Sequence, residues 1–194
     1  MPLDGAWETA MTARLNWGCG PRPAPGWTNA DRLTMPGIDV SGDIRQGLPL
    51  PSDRFEYAAS IHALQEIPYV QVVPVLRELR RVLKPAGVLR LALPDLDRAI
   101  DAYVRRDPSH FLVPDDEVTS LGGKLSVQMT WYGASRTLFT FDFIAELLGK
   151  AGFVDIARCA HQETWSAYPD IVALDDRPEE TLFVEAVKPG RVSR

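Results

Sequence analysis

The chain has 194 residues, 45% hydrophobic and 24% charged, with a formal net charge of −5 and a pI near 5.2. That composition predicts one domain, residues 1–194, with a sizeable apolar core. It argues against nucleic acid as a partner, because no broad basic footprint is present. The cluster Arg77, Arg80, Arg81 and Lys84 reads as a solvated helix face. Two cysteines do not make a disulfide framework, and His62, His110 and His161 lack ligand spacing, so no metal is expected. No apolar run reaches the roughly 18 residues of a membrane span, and no basic segment precedes an apolar one at the start. The expectation is a cytoplasmic protein with no membrane contact.

Residues 1–12 show no periodicity and read as an N-terminal arm. A strand is predicted over 13–17, breaking into Gly18-Cys19-Gly20. A second strand, Gly26-Trp27-Thr28-Asn29-Ala30-Asp31, ends on a carboxylate, and Ile38-Asp39-Val40 is a weak third. The stretch 43–51 reads as a loop, and Phe55 to Ile61 as a buried strand. Val72, Val75, Leu76, Leu79, Val82 and Leu83 recur at helical spacing, with Pro74 expected in the first turn. Lys84-Pro85-Ala86-Gly87 turns the chain into the strand Val88–Leu93. Asp95 is placed to cap a helix whose apolar face is Leu96, Ala99, Ile100, Tyr103 and Val104, closed by Pro108. Residues 108–139 lack a regular pattern and read as a lid or substrate-binding insertion. Thr140 is placed to cap a helix ended by Gly152. Phe153–Ala157 and Thr181–Val187 read as strands pairing antiparallel at a sheet edge.

The first turn carries the chemistry. Glycines at a strand end let backbone approach a ligand closely, and a carboxylate at the tip of the next strand is placed to accept from two ribose hydroxyls. A dinucleotide site needs G-x-G-x-x-G opening a helix, whose N-terminus holds the pyrophosphate. Here Pro21, Pro23 and Pro25 follow instead. They remove amide donors and keep the preceding residues out of the α region. A ligand with a ribose but no pyrophosphate suits this turn, which points to S-adenosylmethionine rather than NAD.

Leu15-Asn16-Trp17-Gly18-Cys19-Gly20 resembles the first motif of class I S-adenosylmethionine-dependent methyltransferases. The segments 26–31, Gly42-Asp43-Ile44, Phe55–Ile67, Leu79–Gly87 and Phe139–Phe153 are similar to that family's later motifs, in order. The nearest likeness is to a compact branch lacking the usual first helix, whose substrates are unassigned and some of whose members are linked to glycan biosynthesis. The resemblance implies an α/β fold with a Rossmann-like sheet, mostly parallel, with an antiparallel strand near the C-terminus.

By position, it implies Gly18, Cys19 and Gly20 under the methionine moiety and Asp31 on the ribose, with Asn16, in place of the commoner acidic residue, also among the cofactor-binding residues. Asp43 and Ile44 fall on the adenine, with Ser60 and His62 at the mouth of the fourth strand near the sulfonium. Gln65-Glu66 stands where relatives show Glu-His, and Ala86 replaces the first glycine of a Gly-Gly turn.

Methyl transfer from a sulfonium is a displacement that needs alignment above all. His62 is the candidate catalytic base for a hydroxyl acceptor, expected to titrate near the ordinary histidine value of about 6.5. His110, Trp131 and Tyr132 in the lid are candidate substrate contacts, with Trp165–Tyr168 helping to shape the acceptor pocket. The expected function is methylation of a small molecule, a sugar or other hydroxylated metabolite. The alternative is a catalytically idle S-adenosylmethionine-binding module acting through a protein partner. The acceptor atom and oligomeric state are open.

Overall fold

The computed structural model describes residues 13–190; the N-terminal arm expected over 1–12 lies outside them. Seven strands form one sheet: β1 (Arg14–Trp17), β2 (Thr28–Asp31), β3 (Val40–Ser41), β4 (Phe55–Ile61), β5 (Leu83–Pro94), β6 (Val154–Cys159) and β7 (Thr181–Val187). Their order is β3-β2-β1-β4-β5-β7-β6. The first five pair in parallel, whereas β7 runs antiparallel to both β5 and β6. Parallel strands covered on both faces read as near-continuous apolar runs. β4 and β5 do so through Ala58, Ala59, Leu89, Leu91 and Leu93, all buried.

The larger core layer lies under α1 (Tyr69–Val82) and α4 (Phe141–Ala151). It joins Val72, Val75, Leu76 and Leu79 to Leu15, Phe55, Leu89, Ile144 and Leu148. No helix separates β1 from β2, as the alternating prolines require. That stretch of the opposite sheet face is covered by Trp27 and by residues from Tyr168 to Leu174, which pack on Tyr57 and Val88. A third cluster fastens α2 (Leu96–Val104) to α3 (Leu121–Thr130) through Ala99, Ala102, Phe111 and Met129.

The structure departs from the sequence reading at several elements. Pro74 sits inside α1, beyond its first turn. The buried face of α2 is Ala99 and Ala102; Ile100, Tyr103 and Val104 are exposed, because α3 approaches along the small residues. The segment 108–139, expected to be irregular, contains α3, ten residues capped by Ser120, whose hydroxyl accepts from the Gly123 amide. Thr140 precedes α4, but its hydroxyl donates to the Asp142 carboxylate instead of capping a helix amide. The loop 43–51 begins with one 3-10 turn, Ile44–Gln46, which Asp43 caps through the Arg45 amide. Asp95 caps α2 and Gly152 ends α4 with φ 89°, as expected.

Candidate functional site

A cleft of about 960 Å3 opens beyond the C-terminal ends of β1, β2 and β4, and Asn16, Gly18, Gly20, Asp31, Asp43 and His62 are among its walls. This is where ligands bind in open α/β sheets. Asn16 is buried and donates its side-chain amide to its ladder partner Asn29 at 3.0 Å, locking β1 to β2.

The two glycines of the turn do different work. A Cβ on Gly18 would sit 2.2 Å from the Ala63 Cβ, so this glycine is required by packing against the turn that follows β4. A Cβ on Gly20 would meet nothing within 4 Å, which leaves its face of the cleft open. Both adopt left-handed φ, 73° and 54°. The Gly20 amide donates to Asp31 Oδ2 at 2.8 Å and the Leu33 amide donates to Oδ1 at 3.0 Å. An ionised carboxylate has about four acceptor positions, so lone pairs remain for a ligand's hydroxyls. Burial, and then the neighbouring Asp31 carboxylate, push the Cys19 thiol up to about 11, so it stays protonated and inert.

Asp43 accepts from Arg45 Nε at 2.8 and 2.9 Å and from Nη2 at 2.5 Å. These bonds hold its carboxyl below the ordinary range. Ile44 lies beside it in the lining. Ser60 is fully buried under the cleft without lining it, and its hydroxyl has no hydrogen-bond partner.

His62 takes a left-handed φ of 50° at the end of β4. Its Nε2 lies 3.0 Å from Thr181 Oγ1 and 3.5 Å from Asp176 Oδ1. Burial, seconded by the Arg177 cation, lowers its pKa to about 3, so the ring stays neutral through the neutral range. This replaces the titration near 6.5 expected from the sequence.

The residues of 108–139 expected to contact substrate separate. Gly133 and Ala134 line the cleft. Trp131 lines a smaller chamber of about 180 Å3 that shares His62, Glu66 and Arg177 with the cleft. Tyr132 is exposed and donates its hydroxyl to Glu117 at 2.6 Å. His110 lies beside Phe111, outside both linings. Trp165 and Tyr168 also lie outside both; Tyr168 packs against Tyr57 on the other sheet face. The wall they were expected to form comes from Ala173, Leu174, Asp176 and Arg177, which no local pattern marks as facing a cleft.

That wall is anchored from below. Arg90 in β5, fully buried, donates to Asp175 at 2.7 and 2.5 Å and to Glu185 of β7 at 2.7 Å. It also donates to the carbonyls of Ala160 and Glu163, at 3.1 and 3.0 Å. All five guanidinium N–H groups are thereby used, and Asp175 is held against the sheet immediately before Asp176 and Arg177.

Residues 25–91 match the family described as a methyltransferase domain. A comparison with curated protein sequences gives no match. Among solved structures, the chain is similar to an S-adenosylmethionine-dependent methyltransferase from Thermotoga maritima, with 15% identity, TM-score 0.59, and 93% of this chain and 84% of that one covered. It is similar to phosphoethanolamine N-methyltransferase 2 of Haemonchus contortus in complex with S-adenosyl-L-methionine, with 16% identity, TM-score 0.52, and coverage of 92% and 49%. An S-adenosylmethionine-dependent methyltransferase from Mesorhizobium loti gives 18% identity, TM-score 0.50, and 90% coverage of both chains.

Proposed function

We propose that this chain, a class I S-adenosylmethionine-dependent methyltransferase by its fold and by the domain it carries over residues 25–91, methylates a small hydroxylated metabolite. The cofactor is S-adenosylmethionine. One observation carries the residue assignment. Asp31 stands at the tip of β2, oriented by the Gly20 and Leu33 amides, with lone pairs to spare on the wall of the cleft. In this reading Asp31 holds the ribose hydroxyls, and Asp43 with Ile44 holds the adenine. The Gly18–Gly20 turn runs beneath the methionine moiety, where the space beyond Gly20 is open.

When bound, the cofactor supplies a methyl group already activated for displacement by an electron-rich atom. The chain's task is alignment, which can contribute roughly 7–11 kcal/mol to lowering such a barrier. His62, held neutral by burial, is a weak proton acceptor. We therefore assign it a positioning role at the cleft mouth, between Thr181 and Asp176. The small polar chamber beside the cleft supports a small acceptor over a macromolecule.

Calorimetry on wild type and Asp31→Ala tests the reading. Hydrogen bonds to a charged group are worth about 1.5–3 kcal/mol each, so losing two ribose contacts should weaken S-adenosylmethionine on the order of 100-fold. Asp43→Ala should lose less, because the Ile44 backbone remains. S-adenosylhomocysteine should bind and NAD should not. An unchanged dissociation constant in folded Asp31→Ala removes Asp31 from the site, and comparable NAD binding overturns the cofactor geometry.

A further inference from the structure

Beside His62 the cleft continues into the chamber of about 180 Å3, whose walls include Gln65, Gln128, Trp131, Ser135 and Glu180. Three oxygens on these residues are buried and have no hydrogen-bond partner: Gln65 Oε1, Ser135 Oγ and Glu180 Oε1. Gln65 is 6% exposed and Glu180 8% exposed, so solvent does not satisfy them freely. Buried polar groups without partners are uncommon, and each calls for an explanation.

The orientation of these groups follows from their neighbours. Gln65 Nε2 donates to the His62 carbonyl at 2.6 Å. A carbonyl only accepts, so the amide cannot be reversed and its unpartnered atom is an oxygen. Gln128 Oε1 accepts from the Leu112 amide at 2.6 Å, which turns its Nε2 toward Glu180 Oε2 at a long 3.5 Å. Glu180 Oε1 is 3.7 Å from Arg177 Nη1, an ion pair too long for a hydrogen bond. The carboxylate is therefore buried and under-served on both oxygens. Burial raises its pKa, a shift that an entering cation would oppose.

We propose that this chamber is the anchoring subsite of the methyl acceptor, and that it takes a protonated primary amino group, with Glu180, Gln65 and Ser135 as its specificity-determining residues. The assignment rests on the methyltransferase reading of the adjoining cleft. An ammonium offers three donors and no acceptor, matching three acceptor oxygens on three residues. A single hydroxyl offers one donor and leaves two oxygens unpaired. A protonated amine has no lone pair, so it is the anchor and not the methylated atom. The accepting atom is a second electron-rich group on the same molecule, at the chamber mouth near His62. The chamber's volume equals that of about six waters at about 30 Å3 each, room for a short aminoalkyl arm.

Calorimetry on the protein saturated with S-adenosylhomocysteine, using 1,3-diaminopropane and 1,3-propanediol as matched probes, tests this. The diamine should bind at one site and the diol at least tenfold more weakly. Glu180→Gln, which keeps the shape and removes the charge, should weaken the diamine at least tenfold with S-adenosylhomocysteine affinity unchanged. Ser135→Ala, a smaller change that guards against a misfolded Glu180 variant, should weaken it about threefold. Equal binding of diol and diamine, wild-type diamine affinity in both variants, or no diamine binding to protein that binds S-adenosylhomocysteine would overturn the subsite alone. Failure of S-adenosylhomocysteine itself to bind would overturn the methyltransferase reading on which the subsite rests.

Discussion

Ala86 shows how a single residue departs from the pattern its neighbours keep. It adopts φ 64° in the irregular turn inside β5, between the residues Leu83 and Val88 that pair with β4, and its amide donates to the Lys188 carbonyl at 3.0 Å. A left-handed conformation costs a residue with a Cβ roughly 1–2 kcal/mol. The next position has no such latitude. A Cβ on Gly87 would come within 2.8 Å of the Lys84 carbonyl oxygen and 2.9 Å of that of Glu56. Ala86→Gly should therefore stabilise the fold by about 0.5–1 kcal/mol, the relief being partly offset by the greater entropy of an unfolded glycine. Urea unfolding checks this, with a raised midpoint at unchanged slope expected. A lowered midpoint would mean that the turn tolerates alanine without strain.

At the scale of elements, the link between the sheet and the cleft wall runs through Arg90. It faces Glu185 across the β5–β7 ladder and reaches Asp175 in the β6–β7 connection. Deleting one partner of a buried ion cluster costs about 3–5 kcal/mol, because the remaining charges stay buried without compensation. Arg90→Leu strands two carboxylates and should lose stability in that range. Arg90→Lys should restore little, since a lysine has three donors on one atom and cannot span these acceptors. Cofactor affinity should fall much less than stability, because the ribose and adenine contacts proposed above come from β1–β3 and the turn after them. Thermal unfolding and calorimetry on the same variants measure both. A stable Arg90→Leu protein would show that the wall is held by other contacts.

For the whole molecule, His62 couples folding to pH. Its folded pKa of about 3 lies below the ordinary value of 6.5. The unfolded chain therefore binds the proton more readily. The stability that neutral His62 contributes is complete above about pH 6.5 and is lost progressively as pH falls toward the folded value. At 1.36 kcal/mol per pH unit, the loss between pH 6.5 and 5 is about 2 kcal/mol. His62→Gln should flatten that part of the stability profile while leaving the carboxylate-driven loss at lower pH. Urea midpoints taken across pH 4.5–8 on both proteins decide it, and parallel profiles would mean that His62 titrates normally in the fold. No helix among the described residues is long and apolar enough to cross a membrane.

Features that depend on near neighbours were legible in the amino-acid order. The Gly18–Gly20 turn, the carboxylate ending β2, the Asp95 cap, the Gly152 stop and the limits of β4 all follow from local backbone preference or short-period apolar spacing. The prolines after Gly20 likewise forbid a helix between β1 and β2 whatever packs against them. Tertiary structure decided what depends on which surfaces meet. Two apolar rows were available on α2, and the approach of α3 buried Ala99 and Ala102 while leaving Ile100, Tyr103 and Val104 exposed. The insertion of β7 between β5 and β6, with Arg90 fastening Asp175 to the sheet, brought Asp176 and Arg177 to the cleft and Glu180 to the chamber beside it. These residues stand more than a hundred positions from the glycine turn. Their side chains carry no periodic signature, because a polar residue facing a cleft and one facing solvent look alike until the chain has closed around the site.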